Sequence, residues 1–487
     1  MSLPTLHLPH LDMKFHASAF ALVACLTTVS IAAPPKPSHD IIDVDVAIVG
    51  GGASGIHAAI HLKDAGAKVA VIEKKDQIGG HAESYVNPET KAVANIGVVL
   101  FENSKTVEKY FDRLGVETTL RNPVNTTTET KQYDFSSGIP IPPQDASEAA
   151  ATAESIADAM QAYIKNVIPK YPWIDRGYTF VPNPVPDDLL QPFGKFAEQN
   201  NFTALLPLIA QFNWYPGRIT EIPTLYGIKK FGPGLINSIV NGFIIPKTGN
   251  ARTVYEAAAQ ELKGDLYLNS NIEKVNRKED GVVVTVKQDG KRVTFNARKL
   301  LVAIPQTLKN VAHFDLRPTE KSLFSKFSTL GYVAGVANIP GVDYNLQNVG
   351  ALTRAHTPVT PGSNGYNIPP GFSGQFLLGV AFDHADYTLE HAKAVIRKEL
   401  ASLATAKAVP ADTAKKVTFP KLANHAPFEL HVSAKEIGDG FFKDLCQLEG
   451  ERNTYWTGAA FAGHNSGLIW QWNEAVVLPA MKKDLGL

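Results

Sequence analysis

Residues Val44–Leu62 read VDVAIVGGGASGIHAAIHL: an apolar run, three consecutive glycines and a fourth, then an amphipathic run. Val44–Val49 has the unbroken apolar character of a strand buried on both faces, and Ala53–Ala65 has helical periodicity. Val69–Ile72 follows as a second apolar strand, which makes a strand–helix–strand unit of about 30 residues. Gly50-x-Gly52-x-x-Gly55 stands at the strand-to-helix turn. At such a turn the first glycine permits the tight reversal, the second lets backbone approach a pyrophosphate, and the third lets helix and strand pack closely. The helix start, with Ala53 and Ser54 in its first turn, offers free N–H groups and partial positive charge to phosphate. Glu73 closes the second strand about 20 residues past the glycines, where a carboxylate meets ribose hydroxyls. The bland alternative is a glycine-rich structural turn. The register of both strands, the helix and the acid favours a dinucleotide.

Three further features separate FAD from NAD. Lys74-Lys75-Asp76-Gln77-Ile78-Gly79-Gly80-His81 places a glycine pair just after the acid, where bare backbone lets a long cofactor run inward. The β-rich segment 266–304 ends in Leu301-Val302-Ala303-Ile304-Pro305, a strand leaving through a proline. Asn453-Thr-Tyr-Trp-Thr-Gly458-Ala459 then brings a second glycine to a second helix start far along the chain.

The 487 residues are enough for two or three domains. Hydrophobic residues make up 44%, and Lys+Arg and Asp+Glu both number 47, which gives no charge bias toward nucleic acid. Met13-Lys14, the apolar Ala19–Leu26 and the small-x-small Ser30-Ile31-Ala32 read as a signal peptide over residues 1–33, with Met1 or Met13 as the start. A membrane span needs about 20 apolar residues, and Thr27, Thr28 and Ser30 interrupt this run, so secretion is expected over anchoring. Cleavage removes Cys25 and leaves Cys446 alone, without an internal disulfide. Asn125-Thr-Thr and Asn201-Phe-Thr are glycosylation sequons.

Along the chain, Ala146–Ile168 reads as a helix and the Pro-rich 168–188 as an extended connection. Residues 189–245 read as helical and aromatic, with Phe193, Phe196, Phe202, Phe212, Trp214 and Tyr215 taken as core. Short strands are expected at 266–268, 272–275, 281–287, 292–295 and 300–304, with Asp280-Gly281 and Asp289-Gly290 as hairpin turns. Helices are expected at Arg252–Leu262, Leu389–Ala404 and from about Leu468.

The combination resembles the flavin-containing amine oxidase superfamily, most of all fungal β-cyclopiazonate dehydrogenase-like proteins. It is also similar to bacterial FAD-dependent polyunsaturated fatty acid isomerases at Asn453-Thr454-Tyr455, Gly458 and Gln191-Pro192-Phe193. The resemblance implies an α/β fold: a Rossmann-like FAD domain from 43–125, 246–310 and 440–487, with an inserted α+β substrate domain from 126–245 and 311–439. It implies that Gly50, Gly52 and Gly55, with Ala53 and Ser54, hold the pyrophosphate and Glu73 the adenosine ribose. Gly79, Gly80 and His81 then line the path to the ribityl chain, and Asn95-Ile96-Gly97 turns beside the isoalloxazine. The Ile272 backbone meets the adenine, Gly458 and Ala459 the pyrophosphate and ribityl, and the N–H groups of Leu468 and Ile469 the N1/O2 edge.

The chain also departs from that pattern. Gln77 and His81 stand where amine oxidases carry arginines. Gly335 takes the place of the lysine near flavin N5, and Leu468 that of an aromatic which cages amines. These departures weaken amine oxidation and leave hydride chemistry intact. His81, His464 and Trp470 are the candidate reactive side chains, each with a plain structural alternative, and no catalytic residue is assigned. No metal motif or nucleophile elbow is present.

The expectation is a secreted oxidoreductase with non-covalent FAD, passing hydride from a lipophilic small molecule to flavin N5, with dioxygen or another acceptor as partner. A redox-neutral double-bond isomerase of unsaturated fatty acids and a non-catalytic FAD- or lipid-binding protein are the alternatives.

Overall fold

Strand β1 (Asp40–Val49) lies between two parallel neighbours because its apolar run can be buried on both faces, with Val46, Ala47 and Ile48 shut off from solvent. On one side is β2 (Val69–Ile72), with Val46 opposite Val69, reached through helix α1 (Ala53–Asp64). Strand β3 (Leu266–Tyr267) extends the sheet beyond β2. On the other side, β4 (Ser270–Lys278), β5 (Gly281–Gln288) and β6 (Lys291–Val302) form an antiparallel meander. Strand β6 pairs in parallel with β1 from Val293 to Val302, and its end pairs in parallel with β7 (Thr454–Trp456). This is a computed structural model, and it describes residues 40–122, 128–213, 215, 217–353 and 356–487. The leader, the Asn125 sequon and Trp214 lie outside those residues.

The β5–β6 turn falls at Asp289-Gly290 as expected, with both residues at positive φ (46° and 85°), the combination that suits a two-residue hairpin. One expectation needs correction. Strands foreseen at 292–295 and 300–304 are a single strand, because the intervening polar residues find partners at its edges. Asn296 meets Asp43 at 2.9 Å, Arg298 meets Asp45 at 3.0 Å and Lys299 meets Asp484 at 3.3 Å.

The second sheet is centred on the strand Ser328–Asn338, flanked by Gln375–Phe382 and Thr418–Asn424. It continues through Gly362–Asn367 and Asn345–Asn348 to Thr130–Tyr133 and Pro140–Ile141. The segment ahead of the expected 146–168 helix therefore first gives two strands to this sheet. Only then does it enter the helix Ala146–Asn166, started by an Asp145/Glu148 capping box. Phe193, Phe196 and Phe202 are buried, as core residues should be, and Phe212 and Tyr215 pack against that core. The Pro-rich connection carries three short 3-10 turns, at Ile168–Lys170, Tyr178–Phe180 and Asp187–Leu189. Among the described residues no helix is long and apolar enough to cross a membrane.

Candidate cofactor and active site

Each glycine of the fingerprint has its own reason. Gly50 sits at φ +110°, and a side chain there would meet the Ala303 carbonyl at 2.8 Å. A Cβ on Gly55 would come within 2.0 Å of the Gly50 oxygen, so Gly55 serves helix–strand packing. Gly52 differs: the one neighbour a Cβ would meet is the Gly80 Cα at 3.7 Å, an ordinary contact with no clash, so packing does not require a glycine there. Gly52 is also the N-cap of α1, with no side-chain cap and no acidic residue in the first turn. An uncapped 12-residue helix whose N-cap glycine has only the Gly80 backbone against it, with no side chain in the way, fits a pyrophosphate at its N-terminus.

Glu73 is buried and already at work. One carboxylate oxygen accepts the Gly51 N–H at 2.7 Å and the other the Lys75 N–H at 2.8 Å. It thus shapes the glycine loop and retains lone pairs for a ribose. The Ser270 N–H donates to the Glu73 carbonyl at 2.9 Å, which brings β4 beside the acid. The register of β4 shifts between Ile272 and Lys274, a local irregularity at the residue expected to face adenine. Gly79 and Gly80 both take positive φ (121° and 58°), and the Gly79 N–H bonds the Gly51 carbonyl. Arg252, which no local sequence signal marked, braces this loop from the start of the helix Thr253–Glu261. Its guanidinium donates to the carbonyls of Ile78 (3.1 Å) and Ala82 (2.9 Å).

The C-terminal elements arrive at the same place. Gly458, at φ +112°, precedes the short helix Ala459–Ala462, and the nearest atom to a Cβ there would be Ser54 Oγ at 3.8 Å. Helix α2 (Ser466–Trp472) docks on α1 through Trp470 Nε1, which donates to the Ala53 carbonyl at 3.0 Å. Trp470 is therefore a docking residue of the core. The amides of Leu468 and Ile469, expected to face the flavin edge, are both engaged by Asn465. Its side chain accepts from Leu468 at 3.3 Å and its carbonyl from Ile469 at 3.0 Å. Asn465 is the cap of α2.

Asn95 spends its side chain on the loop 249–251, bonding the Ala251 N–H and the Gly249 carbonyl, both at 3.0 Å. A Cβ on Gly97 would meet the His81 carbonyl at 1.9 Å, so Gly97 is required for His81 to lie against this turn. His81 is edge-on to His425 (centroids 4.9 Å apart) and stacked with His464 (5.5 Å). Phe428 packs on His464 at 4.0 Å, and Tyr332 stacks on His425. His425, Phe428 and Tyr332 escaped the sequence reading because only tertiary packing brings them to His81. Burial pushes all three imidazoles down: His464 to about 4, His81 well below its ordinary value with the neighbouring His425, His464 and Lys75 adding to the effect, and His425 likewise lowered. All three are neutral at pH 7. His425 Nε2 lies 2.7 Å from the Ile96 carbonyl, which can only accept, so that nitrogen carries the proton. Its Nδ1 is buried with a bare lone pair and no partner.

Strand alternation corrects the place given to Gly335. Tyr332 and Ala334 pack with Phe428, whereas Val333 and Ala337 face the helix Leu389–Thr405. With a side-chain period of two, Gly335 belongs to the helix face. A Cβ there would strike the Lys421 carbonyl at 2.3 Å. The site face of the strand carries Tyr332, Ala334 and Val336, and no lysine.

A parallel βαβ unit with an open phosphate cradle, joined by a distant glycine and helix, defines an FAD-binding flavoprotein of two-sheet architecture. Residues 48–114 match the NAD(P)-binding Rossmann-like domain, and residues 210–340 match the flavin containing amine oxidoreductase family. The FAD-dependent oxidoreductase dpchF of Colletotrichum higginsianum is 49% identical over 92% of this chain and 95% of its own length. The β-cyclopiazonate dehydrogenase of Aspergillus flavus is 32% identical over 90% of this chain and 93% of its own. Among solved structures, a CLA-producing fatty acid isomerase from P. acnes superposes with a TM-score of 0.71 at 18% identity (90% of this chain, 98% of that one). Putrescine oxidase bound to putrescine gives 0.62 at 16% identity (90% and 100%), and both likenesses are of fold. The chain belongs to the FAD-dependent oxidoreductases of the flavin-containing amine oxidase superfamily, and it is an enzyme that uses FAD.

Proposed function

We propose that this oxidoreductase acts on a lipophilic small molecule of the secondary-metabolite kind, with FAD as hydride acceptor and dioxygen or another acceptor taking the electrons onward. The division into an FAD domain (43–125, 246–310, 440–487) and a substrate domain (126–245, 311–439) is part of the proposal. Gly52, Ala53, Ser54 and Gly458 would hold the pyrophosphate, Glu73 the ribose, and Gly79, Gly80 and His81 the ribityl path. When bound, FAD supplies a two-electron acceptor.

The observation that carries the substrate class is the wall beside Gly97. His81, His425 and His464 are held neutral and packed with Phe428 and Tyr332. The nearby charges are paired with each other, Lys230 with Glu429 at 2.5 Å and Lys75 with Glu83 at 2.6 Å. Such a wall gives a cationic amine no counter-charge, while an apolar ligand gains about 25 cal/mol per Å² buried. The bare Nδ1 of His425 can accept a proton as the substrate loses hydride.

Anaerobic bleaching of the flavin across alkaloids, simple amines and unsaturated fatty acids tests this reading. Reduction by a hydrophobic metabolite, with negligible response to benzylamine or spermine, is the expected result. Rapid reduction by either amine overturns it. Turnover without acceptor consumption would assign the double-bond isomerase instead. Export is proposed from the leader at 1–33, and glycosylation from the sequons; Asn201 is exposed. N-terminal sequencing of protein secreted by a fungal host should begin near residue 33; an intact leader overturns export.

A further inference from the structure

We infer that His57, His61 and Glu474 form a binding site for one divalent transition-metal ion of the Zn2+ class. His57 and His61 stand one turn apart on α1, with ring centroids 4.4 Å apart. One ligand atom from each, with a carboxylate oxygen of Glu474, lie within 4.8 Å of one another. His57 Nε2 is 3.7 Å from Glu474 Oε1. These spacings close around a small ion with minor side-chain rotation, and two imidazoles with one carboxylate are a ligand set that Zn2+ accepts, with its fourth position open to water.

The second observation is a group of orphaned polar atoms. His57 is wholly buried, and the Nε2 atoms of both histidines are buried without a hydrogen-bond partner. The hydroxyl of Tyr110, whose ring lies 4.7 Å from that of His57, is buried and unpartnered as well. Buried polar atoms are ordinarily satisfied, so three orphans in one cluster point to a missing ligand. Glu474 projects from a π-helical segment, Asn473–Val477, inserted between α2 and the last helix, a distortion often found at functional sites. Thr106 Oγ1 donates to Glu474 Oε2 at 3.3 Å and orients the carboxylate. His61 and Glu474 are partly exposed, which gives an ion a way in.

The metal-free alternative is weaker. Asn473 Nδ2 reaches His57 Nδ1 at 3.5 Å while donating at 2.8 Å to the Ser54 carbonyl. A His57 proton on Nε2 would then face Glu474 at 3.7 Å. Both contacts lie at or beyond the limit of a hydrogen bond, and neither satisfies His61. Of the charged groups near His61, Arg113 is spent on Asp64 and Glu261, which leaves Lys482 as the opposing cation.

The test uses the FAD-loaded full chain, stripped with chelator and titrated with Co2+ and then Zn2+. One equivalent of Co2+ should bind, with visible bands to the red of the flavin absorption that Zn2+ displaces. His61→Gln and Glu474→Gln should each weaken binding roughly tenfold or more while FAD content stays intact. His384→Gln, an exposed histidine elsewhere, should change nothing. X-ray absorption on the wild-type Co2+ complex should show two imidazole ligands, a readout independent of whether any variant folds. Absence of stoichiometric binding, unchanged affinity in both variants, or a coordination shell without imidazole overturns the site.

Discussion

Asn473 donates its side-chain amide to the Ser54 carbonyl at 2.8 Å, joining residues 419 positions apart. Asn473 Oδ1 in turn accepts the Thr457 hydroxyl, next to Gly458. One buried side chain thus fixes the first turn of α1 against the second glycine approach. Asn473→Ala would leave Thr457 and Ser54 without these partners, at a cost of about 1–3 kcal/mol. Thermal unfolding should show that loss, and the purified variant should retain less FAD than wild type.

Gly52 and Gly55 should separate cofactor binding from folding. A Cβ on Gly52 would meet only the Gly80 Cα, at an ordinary 3.7 Å, whereas any side chain on Gly55 collides with the Gly50 carbonyl. Gly52→Val is expected to keep the native circular dichroism spectrum and emerge colourless. Gly55→Ala is expected to lose both colour and fold. Full FAD in the Gly52 variant would show that Gly52 does not face the pyrophosphate.

FAD should be held without a covalent bond. The Cys446 thiol is pushed up to about 12 by burial and by nearby Glu449, so it is not a nucleophile at neutral pH. Acid precipitation should leave the yellow colour in the supernatant, and Cys446→Ala should carry the same flavin content as wild type.

Acid should release a specific contribution to stability. Arg277 grips Glu320 through two hydrogen bonds, at 2.6 and 2.8 Å, and both side chains are buried. Burial by itself raises the Glu320 pKa, but the Arg277 bonds outweigh it and hold the carboxyl below its ordinary value. A depressed folded pKa stabilises above the unfolded value of about 4.3 and is lost as pH falls through the folded one. Glu320→Gln should cost about 3 kcal/mol at pH 7. The gap to wild type should narrow as the pH drops below about 4, as denaturant unfolding at a series of pH values would show.

His425 is the side chain to alter for chemistry. With Nε2 committed to the Ile96 carbonyl, its free Nδ1 is the basic atom of the cluster. His425→Gln should retain FAD and slow anaerobic bleaching by an active substrate about 100-fold or more, the usual worth of a positioned base. Unchanged bleaching would return the role to His81 or His464.

The local parts of this protein were written in its sequence. The βαβ unit, the separate purposes of its glycines, the acid at the end of β2 and the Asp289-Gly290 hairpin depend on neighbours within about 30 residues, the span of a βαβ unit. Side-chain period and backbone conformation express such short-range relations directly in residue order. The continuity of β6 and the two strands between 130 and 141 were not legible, because their polar residues find partners only across a sheet. The face on which Gly335 lies was not legible for a related reason: alternation fixes which residues share a face, but not which face meets the site. Arg252, Asn473 and the His81–His425–His464 cluster were decided by tertiary structure alone. Their partners are distant in the chain, and the burial that keeps those imidazoles neutral exists only once both sheets have packed.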